Sequence, residues 1–128
     1  MIDKARVILD KWMHAVNLGN MEDVISLYDK DAILLPTFSN KFLNTPDKIQ
    51  GYFERLLGYD NLSVSLHEKT LVIQPIDPER FSLCGVYCWR ITIEGELMSF
   101  EARFSYVVDT ALETPILHHH SSQIPRML

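Results

Sequence analysis

Apolar positions along the first third of the chain recur with helical spacing, and those along the second half recur with strand spacing. Ala5, Ile8, Leu9, Trp12, Ala15 and Val16 fall at i, i+3, i+4 and i+7, which predicts a helix with one buried stripe. Gly19 follows as a left-handed stop. Asn20 is a candidate cap for a second, short helix, with Asp23 near its positive end and Val24, Ile25, Leu27 and Tyr28 on its apolar side. Ala32-Ile33-Leu34-Leu35 predicts a short buried strand that Pro36 ends. Thr45-Pro46 is a helix start, with Thr as cap and Pro at the first helical position. Ile49, Tyr52, Phe53, Leu56 and Leu57 give that third helix its stripe, and Gly58 closes it.

From Asn61 the period changes to two. Leu62, Val64 and Leu66 alternate with Ser63, Ser65 and His67. Phe81 to Ile93 and Phe100 to Val108 are rich in aromatic and β-branched residues, and Glu94-Gly95 between them predicts a tight hairpin. Thr110 to Pro115 is a turn, and Ile116 to Ser122 is the last strand. Helices first and a meander afterwards predict an α+β domain spanning 1–128, with three helices on one face of a curved antiparallel sheet. A concave face under helices can enclose a pocket.

Composition narrows the function classes. Of 128 residues, 47% are apolar and 23% charged, which is ordinary for a globular domain. The formal charge is -5 with no basic cluster, which argues against a nucleic-acid partner. No apolar run reaches the roughly 20 residues of a membrane span, and no leader is seen, so a cytoplasmic protein is expected. Cys84 and Cys88 on one strand would sit about 13 Å apart, beyond the ~7 Å a disulfide tolerates. Two free thiols fit a reducing compartment.

The residues best suited to chemistry are His118-His119-His120-Ser121-Ser122. On a strand, His118, His120 and Ser122 share one face, and His119 and Ser121 the other. His118 and His120 could be two ligands of a metal, although a catalytic zinc site needs a third. Alternatively, His120 and Ser122 could hold a small polar substrate, or the triplet could be a plain strand end. Thr37, Ser39 and Asn40 follow a buried strand, where loops often carry function but also bond their own turns. A buried Tyr52 needs a partner for its hydroxyl. Arg103, if buried, needs an anion.

Three stretches together resemble the iota-class carbonic anhydrases: Ala32 to Lys41, Thr45-Pro46 through Tyr52-Phe53, and Ile116 to Pro125 with its HHHSSQIP. The layout is similar to the wider superfamily of SnoaL-like proteins and the calcium/calmodulin-dependent kinase II association domain. That resemblance implies a cone-shaped, nuclear transport factor 2-like fold whose pocket takes a small anion such as bicarbonate. It implies Thr37, Tyr52 and Ser122 as hydroxyls around the substrate with His120 beside them as catalytic groups; Asn40 and Arg103, read from their own positions, are added as candidate binding residues. It implies a carbon dioxide–bicarbonate lyase working without a cofactor, with zinc or manganese left open, and a homodimer joined through the convex sheet face. Two other readings remain: a non-catalytic ligand-binding or oligomerisation domain, and a SnoaL-like enzyme on a larger substrate. No acidic residue stands at the pocket positions to serve the last. Two departures from the pattern are the turn Asp109 to Pro115 and the run Val86-Tyr87-Cys88-Trp89, the second of which would bring a large ring into the pocket.

Overall fold

The structure is a computed structural model and describes residues 2–125. Helix α1 spans Ile2–Asn17 and buries the expected stripe of Ala5, Ile8, Leu9, Trp12, Ala15 and Val16. It ends where Gly19 adopts φ +68°, a conformation that costs a side-chain-bearing residue more. Asn20 caps α2 (Met21–Ile25) by accepting from the Asp23 amide. The predicted apolar side of α2 included Tyr28, but α2 is only five residues long and Tyr28 opens strand β1 (Tyr28–Leu35). Thr45 caps α3 (Pro46–Leu56) through the Lys48 amide, with Pro46 where its missing N–H costs nothing.

Strands β2 (Asp60–Leu66), β3 (Val72–Pro75), β4 (Arg80–Ile93), β5 (Glu96–Asp109) and β6 (Ile116–Gln123) follow. The sheet order is β1-β6-β5-β4-β2, with β3 also paired to β4. Glu94 at φ 52° and Gly95 at φ 79° make the tight β4–β5 turn, whose hand suits the strand twist. The helices pack on a curved sheet, as expected. The sheet is mixed rather than antiparallel, because β1 and β6 run parallel. Strand β1 leaves the sheet through α3 instead of a hairpin, and a parallel neighbour requires such a crossover. The C-terminal ends of β1 and β6 therefore lie together, with Leu35 beside His120.

One face of the sheet is closed by α1. Asn17 fixes the end of that helix to β2: its amide donates to the Val64 carbonyl at 3.0 Å and its oxygen accepts from the Val64 amide at 2.7 Å. Trp12 then reaches the middle of the sheet. Its ring lies 5.8 Å from each of Tyr87, Trp89 and Tyr106, and 5.3 Å from His119. Gly85 leaves room for its neighbours, since a Cβ there would meet the Phe104 ring at 3.2 Å and Thr70 Oγ1 at 3.0 Å. The interior below α1 is packed with rings, as the departure at Val86 to Trp89 implied.

Candidate functional site

Strand β6 carries polar residues on both faces, and the register decides which face is inside. His119 pairs with Tyr106 on β5 and Leu34 on β1, and Ser121 pairs with Phe104; all of these are buried. His119 and Ser121 thus face the interior, while His118, His120 and Ser122 face outward opposite Val107, Ser105 and Arg103. The expectation that His120 and Ser122 aim inward is corrected. The cause is a register shift: Val107 pairs with His118, yet Val108 pairs with Ile116, so Leu117 is an extra residue. A bulge reverses the alternation, and buried Ile116 shares the inner side with His119 rather than with His118.

His119 is 2% exposed. Its Nδ1 is 2.8 Å from the Tyr28 hydroxyl and its Nε2 is 3.1 Å from the Tyr87 hydroxyl. Tyr28 also accepts from the Trp12 indole N–H at 3.0 Å. The imidazole lies flat on Tyr106, with ring centroids 3.9 Å apart. Burial holds its pKa well below the usual imidazole range, and the flanking His118 and His120 push it the same way. It is a neutral imidazole at pH 7. Burial raises the Tyr28, Tyr106, Tyr52 and Tyr87 phenols, so these stay protonated. Trp89 Nε1 and the Tyr106 hydroxyl are buried in the same region without a hydrogen-bond partner among the described residues.

Toward the sheet end, the Ser121 and Thr37 hydroxyls bond to each other. Burial raises the Tyr87 phenol, and these two hydroxyls offset part of that rise. Thr37 is brought there because Pro36 ends β1 and the chain turns across the end of β6. Phe38 covers the interior beside this pair, with ring centroids 5.8 Å from Trp89 and 5.4 Å from Phe100. The Tyr52 hydroxyl accepts from the Phe38 amide at 3.4 Å and so steadies the loop from behind.

A cleft of about 270 Å³ opens over the hydroxyl pair. Thr37, Ser39, Asn40, Lys41, His120, Ser121, Ser122 and Gln123 supply its polar lining, and Leu35, Pro36 and Phe42 the rest. An adjoining hollow of about 470 Å³ on the outer face shares His120 and Ser122 and adds Arg103, Ser105, Thr70 and Cys84. Neither lining contains a carboxylate.

The structure therefore divides the sequence-predicted set. Thr37, Asn40, His120 and Ser122 line one cleft; Arg103 lies in the neighbouring hollow, exposed rather than buried; Tyr52 stands behind the loop. The predicted concave pocket is displaced to the sheet end, because rings fill the space beneath α1. Sequence reasoning missed His119 and Ser121 as the inward pair, and Tyr28 and Tyr87 as their partners. The sequence held one signal for them: Tyr28 and Tyr87 are polar-tipped residues whose hydroxyls need a partner once the ring is buried. His118 and His120 do share a face, and among the described residues no three His, Cys, Asp or Glu side chains are placed to hold a metal ion. No helix among the described residues is long and apolar enough to cross a membrane.

Comparison with solved structures supports the architecture. A Xanthomonas campestris calcium/calmodulin dependent protein kinase II association domain is 28% identical, with a TM-score of 0.86 over 96% of this chain and 87% of that one. A ketosteroid isomerase-like protein from Erwinia carotovora atroseptica is 10% identical, with a TM-score of 0.79 over 97% and 96% of the two chains. A Caulobacter vibrioides protein with a cystatin-like fold is 14% identical, with a TM-score of 0.79 over 97% and 89%. The last two show a shared fold alone. No curated protein matches the sequence. The calcium/calmodulin dependent protein kinase II association domain family matches residues 4–125, and the chain belongs to that family.

Proposed function

We propose that this protein is a ligand-binding domain of the association-domain type whose cleft at the ends of β1 and β6 takes a small oxyanion such as bicarbonate. The observation that carries this reading is the lining itself. In a chain with 17 acidic residues, the cleft gathers Lys41, His120 and four hydroxyls and no carboxylate. Hydroxyls and amides can each donate to one oxygen of a planar anion, and an ammonium adds charge. Titration of the labelled protein with bicarbonate, against chloride at matched ionic strength, tests it. Bicarbonate-specific shifts at Thr37, Ser121 and Ser122 are expected at about millimolar concentration, the range of ligands held by a few hydrogen bonds. Shifts that chloride reproduces would end the reading.

The finer reading is hydration of carbon dioxide to bicarbonate. It rests on the resemblance of the HHHSSQIP and Pro36 segments and on the Thr37–Ser121 pair, which could orient an attacking water. A carbon dioxide hydration assay decides it: a rate above buffer that Ser121→Ala abolishes supports catalysis, and a rate equal to buffer leaves a binding domain.

A second reading, self-association, is favoured by the outer sheet face. Ile33 and Val72 there are 39% and 58% exposed. Sedimentation would show a dimer that Ile33→Lys weakens. A monomer at all concentrations would remove the homodimer.

A further inference from the structure

We propose that the ligand is a small acid with an anionic group at each end, of the dicarboxylate class, held by Lys41 at one end and by Arg103 at the other. This ligand class rests on the oxyanion reading above and extends it from one side of β6 to both. Strand β6 lies between β1 and β5, and its outward residues His120 and Ser122 stand between two hollows. The cleft with Lys41 lies on the β1 side. The hollow of about 470 Å³ with Arg103 and Ser105 lies on the β5 side. Arg103 is the direct cross-strand neighbour of Ser122, and Ser105 of His120. Because His120 and Ser122 line both hollows, the two meet at that rim and one ligand can reach into each.

Charge decides what such a ligand must be. Neither the Lys41 ammonium nor the Arg103 guanidinium has a hydrogen bond or ion pair among the described residues. Arg6 and Arg80, by contrast, each sit on a carboxylate. Glu101, the acidic residue closest to Arg103 along β5, is paired with His67 at 3.3 Å and lines neither hollow. The Thr70 hydroxyl is also spent: it donates to the His67 carbonyl at 2.7 Å and accepts from the Val86 amide at 2.8 Å. The groups left to meet a ligand are two cations and the Ser105 and Ser122 hydroxyls, all of them able to donate. Strands lie about 4.8 Å apart, so β1 and β5 are separated by roughly 10 Å across β6. Two long, flexible cationic side chains can close that gap onto an acid a few carbons long. The guanidinium fork matches a carboxylate. A single small anion pairs one cation and leaves the other unmatched, whereas a two-ended acid pairs both.

NMR titration of the labelled protein with succinate, and with butyrate as its one-ended counterpart of equal chain length, tests this at matched ionic strength. Wild type is expected to bind succinate about fivefold more tightly than butyrate, the effect of one charge-assisted hydrogen bond at a surface. Succinate should shift Ser105 as well as Thr37. Arg103→Gln, an exposed substitution, should remove the preference for succinate, and Arg103→Lys should restore part of it. Equal binding of the two acids by wild type would overturn the two-ended ligand, as would a preference that survives Arg103→Gln. Succinate shifts that never reach Ser105, the result expected if a second copy covers the outer face, would overturn it too. An Arg103-dependent preference for succinate, alongside bicarbonate shifts that chloride reproduces, would uphold the two-ended ligand and strike bicarbonate from the cleft.

Discussion

The two faces of β6 carry nearly the same residues and do opposite things. Inward, His119 and Ser121 are buried, fully bonded and fixed by neighbours on three elements. Outward, His120 and Ser122 meet solvent at the rim of a cleft, and neither makes a side-chain hydrogen bond among the described residues. A histidine that must satisfy both nitrogens in the core is spent on structure. A histidine at a rim is free to meet a ligand. Chemistry is thus split between a rigid inner pair that fixes geometry and an outer pair that is adaptable.

Substitutions should break that contrast in a definite order. The largest effect is expected from Trp12→Ala, which removes the ring that touches Tyr87, Trp89, Tyr106 and His119. A loss of about 3–5 kcal/mol in chemical denaturation is expected. His119→Leu should follow, at roughly 1–3 kcal/mol, because the Tyr87 hydroxyl loses its hydrogen-bond partner and the Tyr28 hydroxyl keeps only the Trp12 indole N–H. His120→Leu, its outward neighbour, should change stability by less than about 0.5 kcal/mol. Equal losses for the two histidines would erase the distinction between the faces.

Acidification sharpens the same comparison. The folded pKa of His119 lies below its unfolded value of 6.5, because burial disfavours the cation. The unfolded chain then binds a proton that the folded chain refuses, so stability falls as pH drops below about 6.5. The slope contributed by this one group reaches at most about 1.4 kcal/mol per pH unit. Denaturation midpoints between pH 7.5 and pH 5 should therefore fall, and His119→Gln should flatten the fall. A slope that survives His119→Gln intact would assign the acid sensitivity elsewhere.

Helices were legible because each had a stripe and a punctuated end: Gly19 after α1, Asn20 before α2, Thr45-Pro46 before α3. The long hairpin was legible from Glu94-Gly95. The parallel β1–β6 pair was not, since nothing local to Ala32–Leu35 states which distant strand lies beside it or in which direction. The alternation within HHHSS was read correctly, but not its inward side. That side depends on the extra residue Leu117, and a bulge is set by pairing with β5 rather than by the strand's own composition. Of the candidate site, Thr37, Asn40, His120 and Ser122 were placed in one cleft by a sequence reading that never knew its floor, Ser121.

The claim that Ser121, the inward hydroxyl, forms the floor on which an anion sits is tested most directly by bicarbonate titrations of Ser121→Ala and Ser122→Ala side by side. The account predicts that Ser121→Ala weakens binding about fivefold with only a small fall in melting temperature, and that Ser122→Ala weakens it less. Full affinity in Ser121→Ala, with the loss confined to Ser122→Ala, would contradict it and return the site to the outer face.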